Sequence, residues 1–156
     1  LDPFIQDEDE NNNTVIHYAA KNDYFDIFQM VFKKFPDTDV NLPNKQKRTP
    51  LHIALMYSAF DIVRYLLNDP KTDVNYKDEM DRTPIHVAVL LRNREIINLL
   101  LAQPGIDVSI QEMHHMTPLD YAKRIRYQEG VDILTPLTPP PPEEEVAAAK
   151  EEEQKQ

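Results

Sequence analysis

Cysteine is absent from the 156 residues, which removes disulfide scaffolds, thiol nucleophiles, iron–sulfur clusters and cysteine-bound zinc together and fits a reducing, cytoplasmic setting. Glycine occurs only as Gly105 and Gly130, so no glycine-rich loop can bring backbone amides around a phosphate. Ser58 and Ser109 are the only serines, and neither sits in a nucleophile-elbow pattern. No apolar run approaches the ~20 residues of a membrane span, and no charged-then-apolar start suggests a signal peptide. Because the chain opens at Leu1 without an initiator Met, a segment or processed product is expected.

What is present suits one soluble domain with tails: a length near the mode for single domains and 41% apolar residues, enough for a core. The formal charge of -10 is unevenly spread. Asp2, Asp7, Glu8, Asp9 and Glu10 make the first ten residues acidic, and six Glu against Lys150 and Lys155 make residues 143–156 acidic. Both ends read as solvated flanks, and the body between them is close to neutral. Nucleic acid is a poor partner, since phosphate neutralisation needs clustered cations and Lys45, Lys47 and Arg48 are too few.

A period of 34–35 residues organises the chain. Thr14-Val-Ile-His17-Tyr-Ala19, Thr49-Pro-Leu-His52-Ile-Ala54, Thr83-Pro-Ile-His86-Val-Ala88 and Thr117-Pro-Leu-Asp120-Tyr-Ala122 recur. In phase with them come Phe25-Asp-Ile27, Phe60-Asp-Ile-Val63 and Arg94-Glu-Ile-Ile97, then Val31-Phe32, Leu66-Leu67 and Leu100-Leu101. Asp39-Val-Asn41, Asp73-Val-Asn75 and Asp107-Val-Ser109 close each unit. Thr before Pro starts a helix: the hydroxyl caps an early amide and Pro gives up only an N–H without an intrahelical partner. Leu51, Ala54 and Leu55 share one face at i, i+3, i+4, and Ile62, Val63, Leu66 and Leu67 do so in the next stretch. Each repeat therefore predicts two short helices followed by a polar connection, with Pro70 and Pro104 ending the second helix. Small Ala54 and Ala88 permit close helix approach.

Over residues 8–135 these blocks resemble the ankyrin-repeat family, whose Thr-Pro-Leu-His-x-Ala signature, Val-Val-x-x-Leu-Leu second helix and Asp-Val-Asn connection they match. The resemblance implies an all-α solenoid of four repeats, the last incomplete, with hairpin-like loops projecting from the stack. It implies protein recognition without catalysis. Family repeats carry Gly two residues before the Thr, where Asn12, Lys47, Asp81 and His115 stand here. Asn and Asp tolerate left-handed backbone better than Lys, so the Lys47 loop suits that geometry least. In the fourth repeat Gly130 replaces Ile and Thr135-Pro136 arrives before a second helix completes, which reads as an end cap.

No constellation points to an active site. His17, His52 and His86 stand about one repeat apart, roughly 10 Å in a helix stack, too far to share a metal; the resemblance makes them structural, bonding neighbouring loops. His114 and His115 are adjacent and point apart, so even with Glu112 nearby His114 reads as a loop tip and His115 as the substitute for the turn Gly. No carboxylate pair occupies a defined pocket, and a repeat stack offers an open groove that does not exclude water. No catalytic residue, metal or cofactor is expected. Phe25, Phe28, Phe32 and Phe35 read as core of the first repeat.

The expected site is a concave groove that takes a peptide or helix of a protein partner. By the resemblance, the residues facing it are Lys21 and Asn22, Met56 and Tyr57, Leu90 and Leu91, and Arg124 and Ile125. Loop-tip Tyr76, Met80, Met113 and Met116 extend an adaptable strip of Met and aromatic side chains. The plainer reading is that Leu90 and Leu91 close the packing between helices. Thr135-Pro136-Leu-Thr138-Pro139 to Pro142 predicts a stiff polyproline spacer, in which Thr135 and Thr138 match proline-directed phosphorylation. The expected organisation is an acidic lead-in (1–10), the repeat domain (11–135), a Pro-rich linker (136–142) and a Glu-rich tail (143–156), helical or disordered. The chain is expected to act as a monomeric adaptor, with a regulatory segment of a larger enzyme or a permanent subunit of a complex as alternatives.

Overall fold

A computed structural model describes residues 8–140. The lead-in up to position 7, Pro141, Pro142 and the Glu-rich tail lie outside the described residues. Within them the chain forms eight helices and no strand. They pair as α1 (Val15–Lys21) with α2 (Phe25–Lys34), α3 (Pro50–Met56) with α4 (Phe60–Leu67), α5 (Pro84–Leu90) with α6 (Arg94–Leu101), and α7 (Pro118–Arg124) with α8 (Gln128–Leu134). First helices pack on first helices and second on second along the stack. Seven to ten residues is too short for an isolated helix in water, so packing holds each one.

Local chemistry starts the helices and tertiary contact keeps them. Thr49 and Thr117 cap α3 and α7 by accepting from the amides of His52 and Asp120. Pro50, Pro84 and Pro118 occupy the first helical position. Ala19, Ala54, Ala88 and Ala122 are buried, so neighbouring first helices approach closely. Ile62, Val63, Leu66 and Leu67 of α4 and Ile96, Ile97 and Leu100 of α6 fill the layer between first and second helices. The expectation for the phenylalanines divides: Phe28 is fully buried, while Phe25, Phe32 and Phe35 are half-buried at its margin. Tyr65 of the second repeat lies edge-on to Phe25 and Phe28, at 6.0 and 5.9 Å between ring centres.

Asn12, Lys47, Asp81 and His115 all adopt left-handed backbone, φ 55–61°, so the loop with Lys47 keeps the geometry it suits least. A second set with the same conformation, Asp23, Ser58, Arg92 and Arg126, closes the turn between the helices of each pair; the sequence pattern does not announce it.

The C-terminal end differs from its reading in two ways. The helix α8 forms, so the fourth pair has both its helices despite Gly130 and Thr135-Pro136. The ring of buried Tyr127 lies over Gly130, in the space an isoleucine side chain fills in the earlier repeats. Residues 135–138 do not begin a polyproline segment. They turn back at the end of α8, where the Thr135 hydroxyl donates to the Val131 carbonyl (2.6 Å) and the Thr138 hydroxyl to that of Leu134 (3.0 Å).

Candidate protein-binding groove

The groove is shaped by hairpin loops whose geometry comes from a side chain at a fixed place in each repeat. Asp9, Asn44, Asp78 and Glu112 stand 35, 34 and 34 residues apart. In each loop the amide of this residue donates to the carbonyl four positions on, at 3.0–3.1 Å. Its side-chain oxygen accepts from the amides two and four positions on, as Asp78 does from Met80 and Arg82, both at 2.9 Å. The Arg82 guanidinium also pairs with Asp78 at 2.8 Å. This fourth periodic position was readable as acid-or-amide at constant spacing, and the sequence reading assigned Asp9 to the acidic lead-in instead. The first hairpin thus reaches back to Asp9, two residues before position 11.

Adjacent loops are bonded to one another. The amides of Lys45, Glu79 and Met113 donate to the carbonyls of Asn11, Gln46 and Met80, at 2.9–3.0 Å. Beneath them, Nε2 of His52 donates to the Arg82 carbonyl and that of His86 to Met116, each at 3.0 Å, while Nε2 of His17 reaches Leu42 at 2.8 Å. Nδ1 of each imidazole accepts from the amide of the Thr three residues earlier, which fixes the neutral tautomer. Burial pushes all three imidazoles below their usual pKa, against the carbonyls that raise it. Asp120 keeps the local bond to the Thr117 amide (2.9 Å) in the last repeat. At the opposite end of the loops, Asn41 donates to the Lys71 carbonyl (2.8 Å) and accepts from the Asp73 amide (2.8 Å). Asn75 repeats this with Gly105 and Asp107. The stack is therefore a bonded scaffold whose loops are held in place by one another.

The predicted groove residues do not form one continuous strip. Met80, Leu90, Met116, Arg124 and Ile125 come together around a cleft of about 380 Å3, joined by Tyr121 and His114. Met56 and Tyr57 belong to a separate cavity of about 330 Å3 in the first two repeats. That cavity is polar: Asp9, Asn13, Lys21, Asn44 and Arg48 contribute to it, and Lys21 sits over the Tyr57 ring at 5.6 Å. There the Tyr18 hydroxyl donates to Asp9 and, as the largest influence, holds the Asp9 carboxyl well below the usual carboxylate range. Tyr76, Leu91 and Met113 line neither cavity. Tyr76 is half-buried, edge-on to His52 at 6.4 Å, and half-buried Leu91 packs against the core. Met113 is exposed at its loop tip.

Tyr57 and Leu90 are exposed, so the plainer packing reading holds for Leu91 and not for Leu90. Tyr121 went unassigned because its equivalents Ile53 and Val87 are buried core residues and nothing in the pattern separates it from them. One cation, Arg124, lines the apolar cleft. Arg124 lies 3.6 Å from the Met116 sulfur, and Arg92 donates to the Ile125 carbonyl at 2.6 Å. Among the described residues neither Arg92, Lys123, Arg124 nor Arg126 pairs with a carboxylate.

His114 is bonded to Glu112 at 3.0 Å. Burial alone would raise the Glu112 carboxyl, but the His114 side chain and the amides of His114 and Met116 hold it below its usual value. Among the described residues no group of three or more His, Asp or Glu is placed to hold a metal ion, and no helix is long and apolar enough to cross a membrane.

No curated protein matches the chain. A family model described as ankyrin repeats, in three copies, matches residues 16–112, more than half of the sequence. Ankyrin repeats are in general protein–protein interaction modules and typically non-catalytic. With helix pairs, left-handed turns and His-linked loops recurring in register with that match, this chain belongs to the ankyrin-repeat family.

Proposed function

We propose that the chain is a non-catalytic, intracellular adaptor, monomeric on its own, that captures an extended or helical segment of a partner protein along the groove. The observation that carries this reading is the apolar cleft between α5 and α7, where exposed Leu90 faces Met80, Met116 and Ile125 beside Arg124, which has no carboxylate partner among the described residues. Such a site accepts a large apolar side chain followed by a carboxylate: the anchor leaves water in the cleft, and Arg124 attracts the acidic flank. The N-terminal cavity, with Tyr57 over Lys21, accepts polar groups of the same segment. Preformed loops keep the ordering cost on the partner's side.

Selection from a displayed peptide library tests this. Peptides carrying Leu, Phe or Met next to Asp or Glu should be enriched, and binding should weaken as salt is raised. Met56→Asp with Leu90→Asp should abolish capture while helical content and unfolding cooperativity are kept, with the midpoint lowered because half-buried Met56 also packs against the core. Binding indifferent to this pair would move the site elsewhere.

A further inference from the structure

Half of the large apolar side chains exposed among the described residues belong to the first repeat: Tyr18, Tyr24, Ile27 and Met30. Their equivalents in later repeats, found by the period, are all more buried. Ile27 is 40% exposed, whereas Ile62 and Ile96 are 0% and 1% exposed. Tyr24 is 56% exposed, and of its equivalents Ala59 and Tyr127 are buried and Asn93 is half-buried. Met30, 57% exposed, matches Tyr65, whose ring packs on Phe25, Phe28 and Phe32 of the preceding repeat. Tyr18 matches Tyr121, which stands edge-on to His86 of the preceding repeat at 5.1 Å.

The other end of the stack is finished differently. Thr135 takes the place held by Leu67 and Leu101, Asp132 is exposed on α8, and Thr138, Pro139 and Pro140 border the outer side of α7 near Thr117 and Lys123. Terminal repeats normally turn a polar face to water. The C-terminal repeat does so except at Leu137, which is exposed, whereas the N-terminal repeat exposes Tyr24, Ile27 and Met30 together.

We propose that the N-terminal face of α1 and α2 is an interface, and that its occupant is a further ankyrin-type helix pair supplied upstream in the same polypeptide. Two observations commit the face to that occupant. It continues the inter-repeat interface already described, position for position. The residues before the first loop also keep the period: Ile5 lies 35 residues before Val40, the spacing that separates Asp9 from Asn44 and Thr14 from Thr49. Val40, Val74 and Val108 each follow the second helix of a preceding repeat, and Ile5 keeps their position in the sequence period. A second helix presenting apolar residues as α2 does at Phe28 and Phe32 would cover Tyr24, Ile27 and Met30.

The test compares the 156-residue chain with the product of the reading frame that encodes it, each with and without Ile27→Lys and Met30→Lys. In the shorter chain both side chains stand in water, so the double variant should leave the urea midpoint unchanged and the chain monomeric in sedimentation. In the longer product, amides of α1 and α2 should exchange about tenfold more slowly than in the shorter chain, and the double variant should remove that protection. Absence of helix-forming sequence ahead of Leu1, protection that survives the double variant, or the same midpoint shift in both lengths would overturn the proposal. So would concentration-dependent dimerisation of the shorter chain that the double variant abolishes, which would make the face a contact between copies.

Discussion

Eight residues with side chains hold the left-handed backbone that glycine adopts most readily, and they divide into two sets with different visibility. Asn12, Lys47, Asp81 and His115 could be placed from the sequence, because each precedes a helix-starting Thr by two. Asp23, Ser58, Arg92 and Arg126 could not, because their chemistries share nothing. Their conformation is imposed by helix termination: the amides of Tyr24, Ala59 and Tyr127 reach back to the carbonyls of Ala19, Ala54 and Ala122 at 2.8–2.9 Å. The strain remains in the fold and can be relieved. Lys47→Gly and Ser58→Gly should each stabilise the chain by about 0.5 kcal/mol, the left-handed cost of ~1 kcal/mol less part of glycine's greater unfolded-state freedom. Thermal unfolding would register this as a rise of roughly 1–2 °C per substitution; a fall would show that the loops need those side chains.

Among the elements, α8 departs most from its sequence reading. Gly130 looks like decay of the repeat, yet it is the partner of Tyr127. A Cβ at Gly130 would lie 2.4 Å from a ring carbon of Tyr127, which is itself buried. Helix propensity favours alanine over glycine by about 1 kcal/mol, but the displaced ring outweighs it. Gly130→Ala should destabilise the chain by about 1–3 kcal/mol. In a Tyr127→Ser background the same substitution should become stabilising, because the clash is gone and propensity is left. Denaturant midpoints of the four proteins in this cycle check the sign reversal. The other helices were legible because their caps, first-turn prolines and apolar stripes are local; the Tyr127–Gly130 exchange was not, since one residue's size compensates for another's absence.

At the scale of the molecule, the histidine links tie stability to pH. In the unfolded chain His17, His52 and His86 titrate near 6.5, and in the fold burial holds each below that. The unfolded state therefore binds more protons just below that pH, so stability is fullest above about 6.5 and falls as acid is added until the folded imidazoles also protonate. Protonation would also turn Nδ1 into a donor facing the Thr amide donor. Urea midpoints should drop between pH 7.5 and 5.5, and His52→Gln should flatten that slope; a midpoint that rises on acidification contradicts the buried neutral imidazoles. The candidate site was partly legible on this scale. Met80, Leu90, Met116, Arg124 and Ile125 converge on one cleft, but Met56 and Tyr57 lie in another and Leu91 turns to the core. The pattern marks positions on the concave side. The cavity each residue enters depends on the sizes and charges of its neighbours in the adjacent repeat.

The sequence by itself determined the first three helix pairs, their order and the hairpin loops between repeats. Caps, prolines and 3.6-residue stripes act within a few residues, and a 34-residue period repeats that local decision. Only the tertiary structure decided which apolar side chains remain in water. Ile27 and Ile62 share a repeat position, yet one is exposed and the other sealed, because burial is a property of the neighbour and not of the residue.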